Sequence, residues 1–181
     1  MSSKRRMRHF VEWLLKNKED RGIMANLRRA WSATTEHYAW PYLAEFCDLD
    51  NDDQRLIYLT VGACFAFHPQ NGKEGNLGTT LHQIAIRQTC ENPLEAYNAR
   101  FRRLIACSTI EEVCRQLRSV VQLARAREIP VNYEQLLIDL HKWRHAAQKV
   151  KVQWAKTYYG SPKDEESSAA NDTEASASTL S

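Results

Sequence analysis

Glycine and proline are scarce in this chain, with 6 glycines and 5 prolines among 181 residues. Two-residue alternation of apolar and polar side chains is almost absent, whereas helix-forming residues dominate, and this combination predicts an all-α fold. No run approaches the ~18 consecutive apolar residues that a membrane-spanning helix needs. The composition therefore favours a helical protein with no membrane partner.

Cysteine is present but follows no pattern that would give it a role. The 5 cysteines form no C-x-x-C pair, and their odd number argues against a complete disulfide framework. All fall in apolar helical stretches, where a free thiol behaves as a small hydrophobic side chain. The basic N-terminus is followed by no apolar h-region, so we expect no signal peptide and a cytoplasmic location, whose reducing conditions suit free thiols.

Sequence motifs of common enzymes and metal sites are also missing. The chain has no G-x-S-x-G, no G-x-x-x-x-G-K-[ST] and no paired-carboxylate site. His141 and His145 have the i, i+4 spacing of a zinc site, but Lys142 stands where a zincin has its glutamate and would repel a metal ion. We therefore predict that the chain is not an enzyme and binds no cofactor or metal, and that these are solvated helix histidines. An all-α hydrolase built on histidine pairs is the alternative.

One clear loop, QNGKEGNLG, covers residues 70–78. Its three glycines and Lys73 resemble a phosphate-cradling loop, but the spacing differs and no strand precedes it. We predict a connector, with contact between Lys73 and a backbone phosphate as the alternative. His68 and His82 flank this loop, and we expect them to cap helices or to lie in the core.

Apolar spacing predicts a helical bundle of about seven to eight helices with a long C-terminal helix. The predicted segments are about 4–18, 21–33, 52–68, 79–89, 93–108, 109–128 and a last helix ending at Tyr159, with an aromatic segment at 38–46 that Pro41 breaks. The predicted ends are Asn92 with Pro93, a capping box of Thr109 with Glu112, a cap of Asn132 with Gln135, and Gly160 at the last C-terminus. The last helix is expected to run unbroken for about 40 Å.

Changes in composition suggest how the chain is divided. Residues 1–160 form the predicted helical body, and the break at 69–78 could separate an N-terminal subbundle (1–68) from a C-terminal one (79–160). Residues 161–181 are polar, low-complexity and acidic. Because they have too little apolar surface to form a core, we predict a disordered tail.

Positive charge is concentrated in the body. The net charge is +3, and residues 161–181 hold one lysine against five acids, a net −4, so residues 1–160 carry +7. From Arg100 to Gly160, 12 Lys or Arg face 5 Asp or Glu. Arginine outnumbers lysine 16 to 9, and its planar guanidinium suits bidentate contact with phosphate. These features favour a polyanion partner, above all nucleic acid.

Basic side chains fall on the outer faces of the predicted helices. Arg115, Arg118 and Arg125 lie opposite an apolar stripe on the helix at 109–128, and a second basic stripe follows the last helix. The candidate nucleic-acid-binding residues are those of the two stripes and of two nearby basic clusters: Arg21, Arg28, Arg29, Arg100, Arg102, Arg103, Arg115, Arg118, Arg125, Lys142, Lys149 and Lys156.

Two other interpretations of these stripes stay open. Each is compatible with an ordinary solvated helix face, because outward Lys and Arg are common. The chain could also be a helical interaction scaffold whose basic faces bind acidic protein partners. Stacking on nucleobases has little support, because Trp143 and Trp154 lie on the apolar face and are predicted to pack in the core.

Five stretches of the chain carry a family resemblance. They are RGIMANLRRAW (21–31), ACFAFHP (63–69), LGTTLHQIA (77–85), FRRLIACSTIEEVCRQLRSVVQLAR (101–125) and VKVQWAKTYYG (150–160). In this order they resemble the CasB family, the small subunit of the type I-E CRISPR Cascade complex. The set spans nearly the whole body and is more specific than any one stretch.

The resemblance implies an all-helical protein without catalytic activity. It implies two copies as a homodimer along the inside of an RNA-guided surveillance complex, where they stabilise the R-loop in antiviral defence. The implied partners are the CRISPR RNA, the backbones of target and non-target DNA, and other Cascade subunits. The family elements correspond here to Leu27-Arg28-Arg29, to Arg102 with Arg103, and to Arg118, which the helix-face argument selects independently.

Overall fold

Helices make up nearly all the regular structure in residues 3–87 and 93–160, the part of the chain that the computed structural model describes. The eight α-helices there are α1 (Ser3–Lys16), α2 (Arg21–Arg28), α3 (Trp40–Leu43), α4 (Asp52–Phe67), α5 (Leu77–Ile86), α6 (Pro93–Ala106), α7 (Ile110–Ala126) and α8 (Tyr133–Tyr159). Short 3₁₀ turns cover Arg29–Trp31 and Glu36–Tyr38. Within these residues, β-type pairing is limited to an isolated bridge between Asn71 and Val131. The all-α prediction is confirmed.

Helix α4 forms the centre of the fold. Every residue from Ile57 to Ala66 is buried, as the nearly continuous apolar run at this position predicts. Helices α2, α7 and α8 all pack against it. The surfaces that α2 and α7 turn to solvent are therefore both held against one buried helix.

The predicted helix caps within the described residues form as expected. Thr109 and Glu112 make a capping box at the start of α7, and Asn132 Oδ1 accepts a hydrogen bond from the Gln135 amide at 2.9 Å. Gly160 ends α8 with a φ of 84°, a conformation that favours glycine. The predicted cap at Asn92 lies outside the described residues.

Helix α8 is bent, and the prediction of an unbroken helix is wrong. Ala146 has φ −148° and ψ 33°, which are not helical values, and it separates α8 into two arms. The Trp154 indole donates a hydrogen bond to Asp139 at 2.7 Å, although a straight helix would place these residues about 22 Å apart along its axis. Alanine favours helix, so nothing local marks the bend. The packing of Trp143 against Trp154 across the two arms accompanies it.

Two further local predictions need correction. Pro41 does not break the aromatic segment but lies in the first turn of α3, where a missing backbone N–H costs no helical hydrogen bond. His141 is not solvated: it is half-buried, contacts the Tyr58 ring edge-on and bonds to the Leu137 carbonyl at 2.9 Å. Burial lowers the pKa of His141. His145 is exposed, as predicted.

The loop between α4 and α5 covers residues 68–76, because Leu77 and Gly78 of the predicted loop already belong to α5, and it is tied to the rest of the body. Gly72 donates to the Val131 carbonyl at 2.9 Å, and Asn76 caps α5 while accepting a hydrogen bond from Thr157 at 2.6 Å. Side chains from both sides of the loop belong to one hydrophobic core. The proposed division into subbundles stays a prediction, and the predicted disordered tail, 161–181, lies outside the described residues.

The cysteines that the structure describes lie in the hydrophobic core. Cys47, Cys64, Cys107 and Cys114 are free and buried, and burial raises the pKa of Cys47 to about 11 and that of Cys114 to about 12. They pack as small hydrophobic side chains, as the sequence predicts. No helix among the described residues is both long enough and apolar enough to cross a bilayer.

Candidate nucleic-acid interface

Two cavities follow one another along α4, between α2 and α7. The first has a volume of about 480 Å³ and reaches from the start of α2 to the end of α7, over Ala66 and Phe67 of α4. The second, of about 520 Å³, lies between the end of α2 and the start of α7, over Leu56 and Thr60. We call the combined depression the arginine groove, after the five predicted residues that line it: Arg21, Arg28, Arg115, Arg118 and Arg125.

The groove results from how two amphipathic helices pack on α4. The apolar stripe of α7, which includes Val113, Leu117 and Val121, is fully buried. The apolar residues Met24 and Leu27 of α2 are buried as well. The arginines that flank each stripe are exposed. Because α2, with the 3₁₀ turn that follows it, and α7 both pack on α4 and line these cavities, their cationic edges border one groove.

Contacts within the groove position three of the guanidinium groups. Arg28 Nη1 donates to the Ala66 carbonyl at 3.0 Å, at the C-terminal end of α4. The Arg125 guanidinium lies 4.6 Å from the centroid of the Phe67 ring, and that of Arg118 lies 5.5 Å from the Trp31 ring. A guanidinium that stacks on a ring keeps its N–H edges available for an anion. These arginines are therefore held in place while still exposed.

The groove has an excess of positive charge. Its two cavities are lined by six Lys or Arg and three Glu. One of these acids, Glu19, lies 3.9 Å from Lys18. Among the side chains that the structure describes, none of the twelve predicted residues forms an ion pair with a carboxylate. The three Glu offset only half of the six positive charges, so the lining of the groove stays positively charged.

The other seven predicted residues lie elsewhere, although all twelve are exposed. The Arg29 guanidinium stacks on Tyr38 at 4.3 Å, beyond the end of α2. Lys142 and Lys149 line a separate cavity inside the bend of α8, together with Asp139. The remaining residues are exposed on α6 and on the second arm of α8: Arg100, Arg102, Arg103 and Lys156. The bend thus divides the predicted basic stripe of α8, and the role of all twelve stays a prediction.

The sequence does not predict that two aromatic rings contact arginines of the groove. Periodicity assigns Phe67 to an apolar run and Trp31 to an inward face, yet each provides a ring for an arginine from α7. These partners are distant in the chain, so no local spacing connects them. Trp143 and Trp154 are buried in the core, as predicted.

Comparison with known protein families identifies the family to which this chain belongs. Residues 23–159 match the family described as CRISPR-associated protein Cse2, a match that includes every lining residue of the arginine groove except Lys18, Glu19 and Arg21. The chain belongs to this family. The CasB resemblance that the five stretches indicated is confirmed.

Solved structures of Cse2 and CasB proteins have the same fold. The crystal structure of CasB from Thermus thermophilus has a TM-score of 0.69 and 22% identity, covering 86% of this chain and 98% of that one. A chain of a CRISPR RNA-guided surveillance complex has a TM-score of 0.73 and 20% identity, covering 93% and 99%. CasB from Thermobifida fusca has a TM-score of 0.61 and 20% identity, covering 87% and 96%. Comparison with curated protein sequences finds no match.

Two further histidines of this Cse2 family member, His68 and His82, have structural roles. His68 is buried, with Nε2 2.7 Å from the Ile129 carbonyl, and His82 Nδ1 lies 2.7 Å from the Tyr158 carbonyl. Both agree with the expected core and capping roles. Within the described residues, no cluster of three His, Cys, Asp or Glu side chains is arranged to hold a metal ion.

Proposed function

We propose that this chain is a non-catalytic small subunit of the type I-E RNA-guided surveillance complex Cascade. Its arginine groove would grip the phosphate backbone of nucleic acid and so stabilise the R-loop in antiviral defence. Its partners would be CRISPR RNA, target and non-target DNA, other Cascade subunits and a second copy of itself, in the cytoplasm. The observation that carries the proposal is the groove itself, in which five exposed arginines line two cavities along α4 and form no ion pair with a carboxylate among the described side chains.

The energetics of strand exchange explain why such a groove is sufficient. Replacing a DNA duplex with an RNA–DNA hybrid is nearly balanced in free energy, so modest backbone contacts decide the outcome. A charge-assisted hydrogen bond from arginine to phosphate contributes about 1.5–3 kcal/mol. Several such contacts would hold the opened strands whatever their sequence, which a complex that uses many guides requires.

Membership of the Cse2 family supports this proposal. The similarity in fold to a chain of an RNA-guided surveillance complex is compatible with it. The distribution of charge supports nucleic acid over an acidic protein, because arginine predominates and three groove guanidiniums are positioned by a ring or a carbonyl.

The test compares two variants that lose the same charge. One replaces Arg115, Arg118 and Arg125 with alanine, and the control replaces Lys4, Arg5 and Lys16 with alanine, three exposed basic residues of α1 outside the predicted set. Binding to single-stranded oligonucleotides is measured from low to high salt, and R-loop formation is measured in the reconstituted complex. The groove variant should bind more weakly, with a salt slope reduced by roughly two units on single strands, and should impair R-loop formation more than the control.

Each contrary result has a distinct meaning. If the groove variant supports R-loop formation as well as the parent, the groove is not the contact. If the parent binds no oligonucleotide at low salt, direct nucleic-acid binding is refuted. An acidic protein would then be the expected partner of the basic faces. Circular dichroism of both variants verifies that they remain folded.

A further inference from the structure

The second cavity of the groove differs from a plain phosphate site. Its lining combines the apolar side chains of Ala30, Trp31, Leu56 and Cys114 with the polar side chains of Thr60, Glu111, Arg115 and Arg118. We call it the Trp31 pocket. Its volume of about 520 Å³ lies within the ~300–1,000 Å³ that is typical of small-ligand pockets.

A phosphate backbone alone would make no favourable contact with the apolar side chains that line this pocket. Phosphate contacts need only cations and N–H donors, as in the first cavity around Arg28 and Arg125. An indole beside a guanidinium is instead the arrangement that proteins use to hold an unpaired base, because every base presents a flat π-face. The half-buried Trp31 ring, with the Arg118 guanidinium 5.5 Å from its centroid, provides both components.

We propose that the Trp31 pocket holds one unpaired nucleobase of a strand whose phosphates lie in the arginine groove. This inference rests on the proposed function and specifies the form of its ligand. The base would stack on the indole in the place that the Arg118 guanidinium now takes, and Arg118 would turn to a flanking phosphate. The Glu111 carboxylate at the rim would accept a hydrogen bond from a base amino group or ring N–H.

Position along the groove favours nucleic acid over an apolar peptide side chain as the occupant. Both cavities lie along α4, the first over Ala66 and Phe67 and the pocket over Leu56 and Thr60. A strand that follows α4 would therefore place a base here and phosphates of nearby nucleotides in the first cavity. The rim is cationic as well, with Arg115 and Arg118 against Glu111. A peptide that matched this rim would have to be acidic and apolar at once.

The experiment separates bases from phosphates. The full-length protein is titrated with a single-stranded oligonucleotide and with one of equal length made of abasic nucleotides, which keeps the phosphates and lacks the bases. The parent should prefer the normal strand by roughly 5- to 150-fold. Trp31→Leu should lose this preference, with an affinity for the abasic strand that falls no more than roughly two- to five-fold, because Arg118 loses the ring beside it, and with an unchanged salt slope. Trp31→Phe, which retains a stacking ring, should keep most of it.

Two further variants serve as controls, one for the loss of a tryptophan and one for a failure of Trp31→Leu to fold. Trp40→Leu removes an exposed tryptophan outside the pocket (39% exposed) and should keep the full preference. Ala30→Leu narrows the pocket without removing any packing and should reduce the preference even if Trp31→Leu fails to fold.

Three outcomes would overturn the pocket while leaving the groove intact. These are equal affinity of the parent for both strands, an undiminished preference in Trp31→Phe, Trp31→Leu and Ala30→Leu alike, or loss of the preference in Trp40→Leu alone. Failure of the parent to bind either strand at low salt would instead refute the proposed function.

Discussion

The indole N–H of Trp154 donates to the Asp139 carboxylate at 2.7 Å, across the bend of α8. Asp139 also accepts from Gln135 at 2.7 Å, so both carboxylate oxygens have donors in a buried setting. This contact joins the two arms of α8 and helps to shape the surface that carries Lys142 and Lys149.

Trp154→Phe should therefore be strongly destabilising. It removes one donor from a buried carboxylate and leaves a space in the core, which together should lower the free energy of unfolding by about 2–5 kcal/mol. Urea denaturation measures the change. Trp40→Phe, the same substitution at an exposed tryptophan, should change stability by less than about 0.5 kcal/mol. Equal effects at the two sites would contradict a special role for the Trp154–Asp139 contact.

Asp139 should also make stability depend on pH. Burial raises the pKa of its carboxyl above the ordinary 3.8, against the opposing effects of the Trp154 and Gln135 hydrogen bonds and of Lys142. The folded protein thus keeps a proton that the unfolded chain has released, so this contribution to stability is present below pH 3.8 and is lost as pH rises through the raised pKa.

The measurement is a comparison with Asp139→Asn, which does not titrate. The free energy of unfolding of the parent minus that of Asp139→Asn should fall as pH rises from 3.8 through the raised pKa of Asp139. Above that pKa the difference should stay constant. A difference that increases with pH would mean that the folded state favours the charged carboxylate.

Helix boundaries could be predicted because they depend on neighbours in the chain. The capping box of Thr109 with Glu112 and the stripe of Val113, Leu117 and Val121 are each decided within one or two turns. Because these signals determine which side of α7 is buried, they also determine which of its arginines face outward. Periodicity alone therefore selects the three arginines of α7 that line the groove.

Features that depend on distant contacts could not be predicted. No glycine or proline marks the bend at Ala146, which brings together Asp139 and Trp154 from different arms. Likewise, the pairing of Arg118 with Trp31 joins helices that lie far apart in sequence. Periodicity assigns a residue to a face of its own helix but does not say which other helix meets that face.

The crossing of α5 and α8 supplies a third prediction. A Cβ atom on Gly78 would overlap the Trp154 carbonyl oxygen and the Thr157 hydroxyl, so the helices approach closely only because residue 78 is glycine. Gly78→Ala should lower the free energy of unfolding by about 1–3 kcal/mol. Gly22→Ala in α2, where the nearest atom is an Asp20 carboxylate oxygen at 3.3 Å, should change it by less than about 1 kcal/mol. Thermal melts of both variants would reveal whether the crossing tolerates a methyl group.

The contact between Arg125 and Phe67 supplies a fourth prediction, on how the groove presents its charge. Phe67→Leu keeps every positive charge but removes the ring under the guanidinium, so Arg125 would lose its fixed position. We expect binding to single-stranded oligonucleotide to weaken roughly two- to five-fold. The salt dependence should stay the same, because the number of neutralised phosphates does not change.

Arg125→Gln provides the matched comparison, because it removes the charge and leaves the ring. It should weaken binding and also reduce the salt slope by about one unit. The two variants therefore distinguish the position of a charge from its presence. If Phe67→Leu lowered the salt slope as much as Arg125→Gln does, the ring would be needed to bring Arg125 to the phosphate at all. If neither variant affected binding, Arg125 would lie outside the contact, and the nucleic acid would be held by the part of the groove around Arg115 and Arg118.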